Sequence, residues 1–222
     1  MFTSRESAPK GATRIKPSLM IFVDGQNFYI STKELGIKVD IAKLKTKLIH
    51  SADYHFQRLH YYTASFEHNN TNPERSKREE RFLVELERIG GVELHRGEHH
   101  ARNKRIDGTD LFTGKPARID HRYQEEKMTD VSLAVDMVYH AQADPKALAR
   151  RETYDVAMLV SDDMDFVPAV SRVREMGKTV VWCQINAERW GGRLGKVCDS
   201  TLQLTRGILH DCIRRQPPTL RR

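Results

Sequence analysis

Short, wholly apolar runs recur along the chain, and polar stretches with helical spacing lie between them. Leu19 to Val23 (LMIFV) is one such run and ends at Asp24-Gly25. A continuous run of that length suits a strand covered on both faces. Val156 to Val160 and Thr179 to Cys183 repeat the pattern. Aromatic-rich FQRLHYYT (Phe56 to Thr63) and the short Val92 to His95 predict two further strands. The helical stretches are equally marked. Asp40 is placed to cap a helix over 40–49, with Ile41, Leu44 and Leu48 on one face. Asn72 and Pro73 open another, carrying Phe82, Leu83, Leu86 and Ile89, and Gly90-Gly91 stops it. Val131, Ala134, Val135 and Val138 predict a helix from Thr129, and Phe166, Val170 and Val173 one ending near Gly177. Pro168 falls in that helix's first turn, where its missing N–H costs nothing. Residues 190–199 suggest a last helix.

Strands alternating with helices imply parallel strands joined by crossovers. The expected class is α/β: an open, doubly wound, mostly parallel sheet between two helical layers. Residues 1–17 read as a flexible N-terminal tail, 18–205 as one domain and 206–222 as a basic C-terminal tail ending RRQPPTLRR. Within the domain, 97–127 shows little apolar periodicity and many Arg, Lys, Gly and His. It reads as a long basic loop, and loops of that length are usually functional or mobile.

Charge changes the picture. Lys and Arg number 37 against 30 Asp and Glu, a net +7, with a pI of about 9.4. Such a balance is compatible with a polyanion, nucleic acid first among them, or with solubility alone. No apolar stretch approaches the roughly 18 residues of a membrane span, and the N-terminal residues lack the apolar core of a secretory signal. Cys183, Cys198 and Cys212 form no CxxC pair and are odd in number, so reduced thiols in a cytoplasmic protein are expected.

Against that positive balance, MLVSDDMDFVPAV (Met158 to Val170) crowds Asp162, Asp163 and Asp165 straight after an apolar strand. Asp24 ends the first apolar strand, and Asp130 opens the helix before the later one. In doubly wound sheets ligands bind beyond the carboxyl ends of the strands, where strand order reverses. If the two strands are neighbours, these acids meet at one edge. Converging carboxylates repel unless a cation holds them, and oxygen donors of this kind favour Mg²⁺ or Mn²⁺. Such an ion polarises a phosphoryl oxygen and activates water, which is nuclease chemistry. Singly, each Asp is also an ordinary turn or cap residue.

Three ordered segments carry a resemblance. VDGQNFY (Val23 to Tyr29), EKMTDVSLAVDM (Glu126 to Met137) and LVSDDMDFVPAV (Leu159 to Val170) resemble the signature segments of LabA-like NYN domains, in the PIN-like nuclease superfamily. Those patterns read roughly VDGxN, KGVDVxLAxD and SGDSDFxPL. The resemblance implies a PIN-like three-layer fold and a divalent-metal-dependent ribonuclease acting on RNA, single-stranded in the first instance. It implies metal ligands at Asp24, Asp130, Asp163 and Asp165, and places Asn27 with them in the catalytic group. Asp136 matches the second acid of the middle segment. On a helical wheel it lies about 120° from Asp130, which makes it a supporting residue, as are Asp162 and Ser161. Lys127 matches the motif lysine and is a candidate for substrate contact. Tyr29 is a candidate for base stacking, and Arg102, Lys104, Arg105, Arg118 and Arg122 of the basic segment for phosphate contact.

Two departures from the pattern matter: Asp162 stands for the glycine before the acid pair and Met164 for the serine. A side chain at 162 is expected to disturb a tight turn if φ is positive there, or to add a ligand. Asp162 thus keeps an alternative open, a non-cleaving RNA-binding or regulatory module with a metal-holding acidic site. His95, His99, His100 and His121 lie in or near the basic segment without zinc-ligand spacing, and read as solvated rather than metal-bound. There is no Walker A sequence and no GxGxxG, and Gln26 two residues after Asp24 argues against a DxD phosphatase.

Overall fold

The computed structural model describes residues 16–51, 53–65, 73–109, 112–142, 152–185 and 192–214. Seven strands and seven helices follow in chain order: β1 (Ser18–Asp24), α1 (Gly25–Glu34), α2 (Ile41–Ile49), β2 (His55–Ser65), α3 (Pro73–Glu87), β3 (Val92–Thr109), β4 (Pro116–Lys127), α4 (Thr129–Ala141), β5 (Val156–Val160), α5 (Val167–Glu175), β6 (Thr179–Gln184), α6 (Arg193–Val197), β7 (Ser200–Gln203) and α7 (Arg206–Asp211). One sheet holds all the strands in the order β4-β3-β2-β1-β5-β6-β7. Every neighbouring pair is parallel except β3 with β4. Strand order reverses at β1, with β2 on one side and β5 on the other.

Period-two alternation in β1 divides the core. Leu19, Ile21 and Val23 face one layer, where they meet Phe28 of α1, Leu44 and Leu48 of α2, Leu83 and Leu86 of α3 and Leu209 of α7. Met20 and Phe22 face the other, with Leu133 and Met137 of α4, Val170 and Val173 of α5 and Leu194 of α6. The expected three-layer α/β sandwich is therefore the observed one. All five β1 residues from Leu19 to Val23 are fully buried, as a two-faced strand requires.

Two boundaries differ from expectation. The segment 97–127 is not a loop. β3 runs on past the sheet and returns as β4 in an antiparallel pair from Glu98↔Lys127 to Thr109↔Pro116. Its residues from Arg102 to Thr109 are exposed, so no buried face imposes an apolar period and the strand is silent in the hydrophobic pattern. Residues 206–214 are not tail either. Thr205 caps α7, Leu209 and Cys212 are buried, and Ile213 bridges back to Val39. Residues 1–15 and 215–222, the remainder of the two expected tails, and the cap at Asn72 lie outside the described residues.

Candidate active site

The register pairs Val23 with Val160, so Asp24 and Ser161 emerge side by side at the carboxyl ends of β1 and β5, at the reversal of strand order. Gly25 lets the chain turn there. A Cβ at this position would lie 2.5 Å from the Tyr62 carbonyl oxygen and 2.6 Å from the Tyr61 ring, so only glycine fits between β1 and β2. Asp24 caps α1, its Oδ1 accepting from the Asn27 N–H at 3.0 Å. Its Oδ2 accepts from the Ser161 hydroxyl at 2.8 Å. Ser161 Oγ in turn accepts from the Asp163 N–H at 3.0 Å, and Asp163 Oδ1 accepts from the Asp165 N–H at 2.9 Å. One chain of hydrogen bonds thus links three acids, and the Ser161 carbonyl is itself held by the Trp182 indole at 2.8 Å.

Asp130 reaches the same edge from the first turn of α4, which packs on the 3₁₀ turn Met164–Phe166. Its carboxyl is pushed above the ordinary value, by partial loss of water first and then by the charges of Asp163 and Asp165. Asp163 and Asp165 are thus close enough to Asp130 to oppose its ionisation, and hard carboxylate donors of this kind suit a divalent cation of the Mg²⁺ or Mn²⁺ kind.

The other expected residues fall as follows. Asn27 Oδ1 accepts from the Asp162 N–H at 3.1 Å, tying α1 to the acid turn. Asp162 is buried, and its Oδ1 accepts from the Ile185 N–H at 3.2 Å, so its side chain latches β5 to the end of β6. Among the described residues Met128 is the one non-glycine with positive φ, at 74°. Asp162 therefore does not strain the turn. Met128 occupies the glycine position of the KGVDV pattern, immediately before α4. Tyr29 is exposed on α1, whereas Tyr61 and Tyr62 are buried. Lys127 ends β4 beside Gly97, where a Cβ would lie 2.5 Å from the Lys127 carbonyl oxygen.

Asp136 turns away from the acids. It accepts from the Tyr62 hydroxyl at 2.8 Å and lies 3.7 Å from His95 Nδ1. On the hairpin, Arg102, Lys104, Arg105 and Arg118 are all exposed. Arg105 pairs with Asp120 at 3.3 Å and Arg118 with Asp107 at 2.8 Å. Arg122 lies opposite Asn103 in the register, and its side chain is outside those described.

One cluster escaped sequence reasoning. His60 and Glu93 face each other across β2 and β3, and His95 sits two residues further along the same face. The repeats HxY (His60, Tyr62) and ExH (Glu93, His95) in adjacent parallel strands are the signal that would have found it. His95 lies in a strand, as the Val92–His95 run predicts, but is partly buried rather than solvated. Burial pushes the His60 imidazole down to about 3. Burial also lowers His95, against the raising influence of Asp136 and Glu93.

The fold and its acidic edge define a PIN-like α/β protein with carboxylates gathered at the reversal of strand order. Residues 18–204 match the NYN domain, and the chain belongs to that family. A solved structure is similar in fold: a protein of unknown function, VPA0982, from Vibrio parahaemolyticus, with a TM-score of 0.54 and 18% identity over 91% of this chain and 99% of that one. No curated protein matches this chain.

Proposed function

We propose that this protein is a Mg²⁺- or Mn²⁺-dependent ribonuclease of the LabA-like kind, hydrolysing single-stranded RNA at the β1–β5 edge. The observation that carries this reading is the hydrogen-bond chain from Asp24 through Ser161 to Asp163 and Asp165, with Asp130 close enough to feel the charges of the last two. Asp24, Asp130, Asp163 and Asp165 would hold the ion. When bound, it supplies Lewis acidity toward a phosphodiester and its attacking water.

The chain's own residues do the positioning. Asp24 accepts from the Asn27 N–H and the Ser161 hydroxyl, which orient its carboxylate at the carboxyl end of β1. Asn27 uses its amide oxygen on Asp162, which leaves its N–H₂ as the donor it offers an oxygen ligand. Exposed Tyr29, four residues along α1 from Gly25, offers a stacking face. Lys127 and the hairpin cations Arg102, Lys104, Arg105, Arg118 and Arg122 would hold the RNA backbone on the approach to Asp130. The non-cleaving alternative rested on Asp162, whose side chain is engaged on β6 and whose backbone is unstrained.

Incubating the purified protein with labelled single-stranded RNA tests the reading. Cleavage in Mg²⁺ or Mn²⁺ that EDTA abolishes is the expected result, with a 5′-phosphate on the product. Binding without cleavage in either ion would return the protein to the non-cleaving class.

A further inference from the structure

The face of the sheet beneath α4 carries a second group of ligand-type side chains, on β2 and β3 rather than at the β1–β5 edge. His60 Nδ1 lies 3.0 Å from His95 Nε2. Glu93 presents one oxygen 4.0 Å from His60 Nδ1 and the other 3.8 Å from His95 Nε2. All three ligand atoms fall within 4.8 Å of one another, and among the described residues no other His, Cys, Asp or Glu trio does so. We propose that His60 Nδ1, His95 Nε2 and the Glu93 carboxylate bind a transition-metal ion of the Zn²⁺ type, at a site separate from the aspartate cleft.

Distances and donor chemistry support this. Zn²⁺ with ligands at about 2.0–2.1 Å in a tetrahedron sets them about 3.3 Å apart. The two ring nitrogens, 3.0 Å apart, need to open only slightly, while the exposed Glu93 carboxylate must swing inward to bring one oxygen to both. Two imidazoles with one carboxylate suit Zn²⁺, whereas all-oxygen sites suit Mg²⁺. The two sites therefore sort their cations by chemistry. Glu93 is half-exposed, which gives an entry path and leaves the fourth position to solvent.

The surroundings orient the ligands as a metal site requires. When His95 Nε2 ligates, its Nδ1 carries the proton, and Asp136 lies on that side at 3.7 Å. A carboxylate behind a ligating histidine fixes the ring's tautomer and raises its basicity. Asp136 is itself held by the Tyr62 hydroxyl, and the Tyr62 ring stacks on His95 at 4.4 Å between centroids. His60 is sealed between Phe22, Tyr62 and His140. Its Nε2 is a buried nitrogen with no hydrogen-bond partner among the described residues. Its Nδ1, which faces His95 and Glu93, shares a 3.0 Å hydrogen bond with His95 Nε2, and an ion between the two rings would take the place of that bond. Arg58 opposes the ion, with its guanidinium 3.4 Å from Glu93. Its closer partner is Glu152, which it grips through two bonds of 2.7 Å each, so Glu93 can turn to a cation without leaving Arg58 unpaired.

The test uses the full-length protein stripped with EDTA, dialysed, and titrated with Co²⁺ and then Zn²⁺ in millimolar Mg²⁺. Co²⁺ at a tetrahedral imidazole-containing site gives intense visible bands, and an all-carboxylate site does not. One equivalent of intense Co²⁺ absorption, displaced by one equivalent of Zn²⁺, is expected for the wild type. The same is expected for Asp163→Asn, which alters only the cleft. His95→Gln and Glu93→Gln should each weaken Zn²⁺ binding at least tenfold. Glu93 is half-exposed, so its variant keeps the test valid if His95→Gln fails to fold. Weak octahedral-type bands in the wild type, loss of the bands in Asp163→Asn, or unchanged Zn²⁺ affinity in folded Glu93→Gln would each overturn the proposal.

Discussion

Asp130 is where the electrostatics of the acid edge become measurable. Its carboxyl is raised in the folded protein, by loss of water and by Asp163 and Asp165. Ionising a group whose folded value is raised works against folding. That cost is absent below the ordinary carboxyl value and fully present once pH has risen through the folded value. Asp163→Asn removes one of the opposing charges, and asparagine keeps the Oδ1 that accepts from the Asp165 N–H. Metal-free Asp163→Asn is therefore expected to unfold at the same or a higher temperature than the wild type at neutral pH, the gap closing as pH falls into the carboxyl range. Thermal unfolding followed by circular dichroism checks this, and a clear drop in the midpoint at neutral pH would contradict it. Much at this scale was legible. Asp24 and Asp163 stand after apolar runs, and that placement alone brings them to one edge of a parallel sheet. The role of Asp162 was not legible, because it accepts from the Ile185 N–H just past the end of β6, 23 residues on.

Met128 shows how an element can carry strain into a site. It takes φ of 74° at the residue before α4, with no side-chain cap, and α4 carries Asp130 in its first turn. Left-handed backbone costs a non-glycine about 1 kcal/mol or more. Met128→Gly removes that cost but adds unfolded-chain entropy worth about 0.4–1 kcal/mol. A net gain of up to about 1 kcal/mol is expected by denaturant unfolding, and a loss above that size would show that the Met128 side chain holds α4 in place. The β3–β4 hairpin offers a second test at this scale. Period two puts Arg102 and Lys104 on one face and Arg105 on the other, where Asp120 already pairs with it. Neutralising Arg102 and Lys104 together should weaken RNA binding and flatten the slope of log affinity against log salt by about 1.4, the single-strand value for two phosphates. Base preference should not change. Unchanged affinity and salt slope in that double variant would contradict this assignment. Elements with a buried face were legible as sequence: β1, β5, β6 and α2 show their period, whereas α4 forms as expected but buries Leu133, Met137 and Ala141 and exposes Val131 and Val135 of the expected stripe. β3 is exposed throughout from Arg102 to Thr109, and α1 (GQNFYISTKE) carries no apolar stripe, so neither announces itself.

At the scale of the whole molecule, strand order explains the juxtaposition of acid and base. Reversal at β1 sets Asp24 beside Ser161 and the acid turn, while α4 delivers Asp130 straight after the hairpin. A chain of net charge +7 thereby gathers its acids at one edge and leads to them with an exposed basic arm. No helix among the described residues is long and apolar enough to cross a membrane. The α/β class and the parallel core followed from alternation alone, because crossover connections leave few other solutions. The His60–Glu93–His95 group did not, since it depends on the register of β2 against β3. The central claim is that the acid edge performs phosphodiester hydrolysis, and it is tested most directly by single-turnover cleavage of labelled single-stranded RNA in saturating Mn²⁺ by wild type and Asp24→Asn. Asparagine keeps the Oδ1 that caps α1, so the fold is expected to persist while the rate falls at least about 100-fold, the scale of losing one preorganised charge at a reacting phosphate. Undiminished cleavage by folded Asp24→Asn, with contaminating nuclease excluded, would contradict the account.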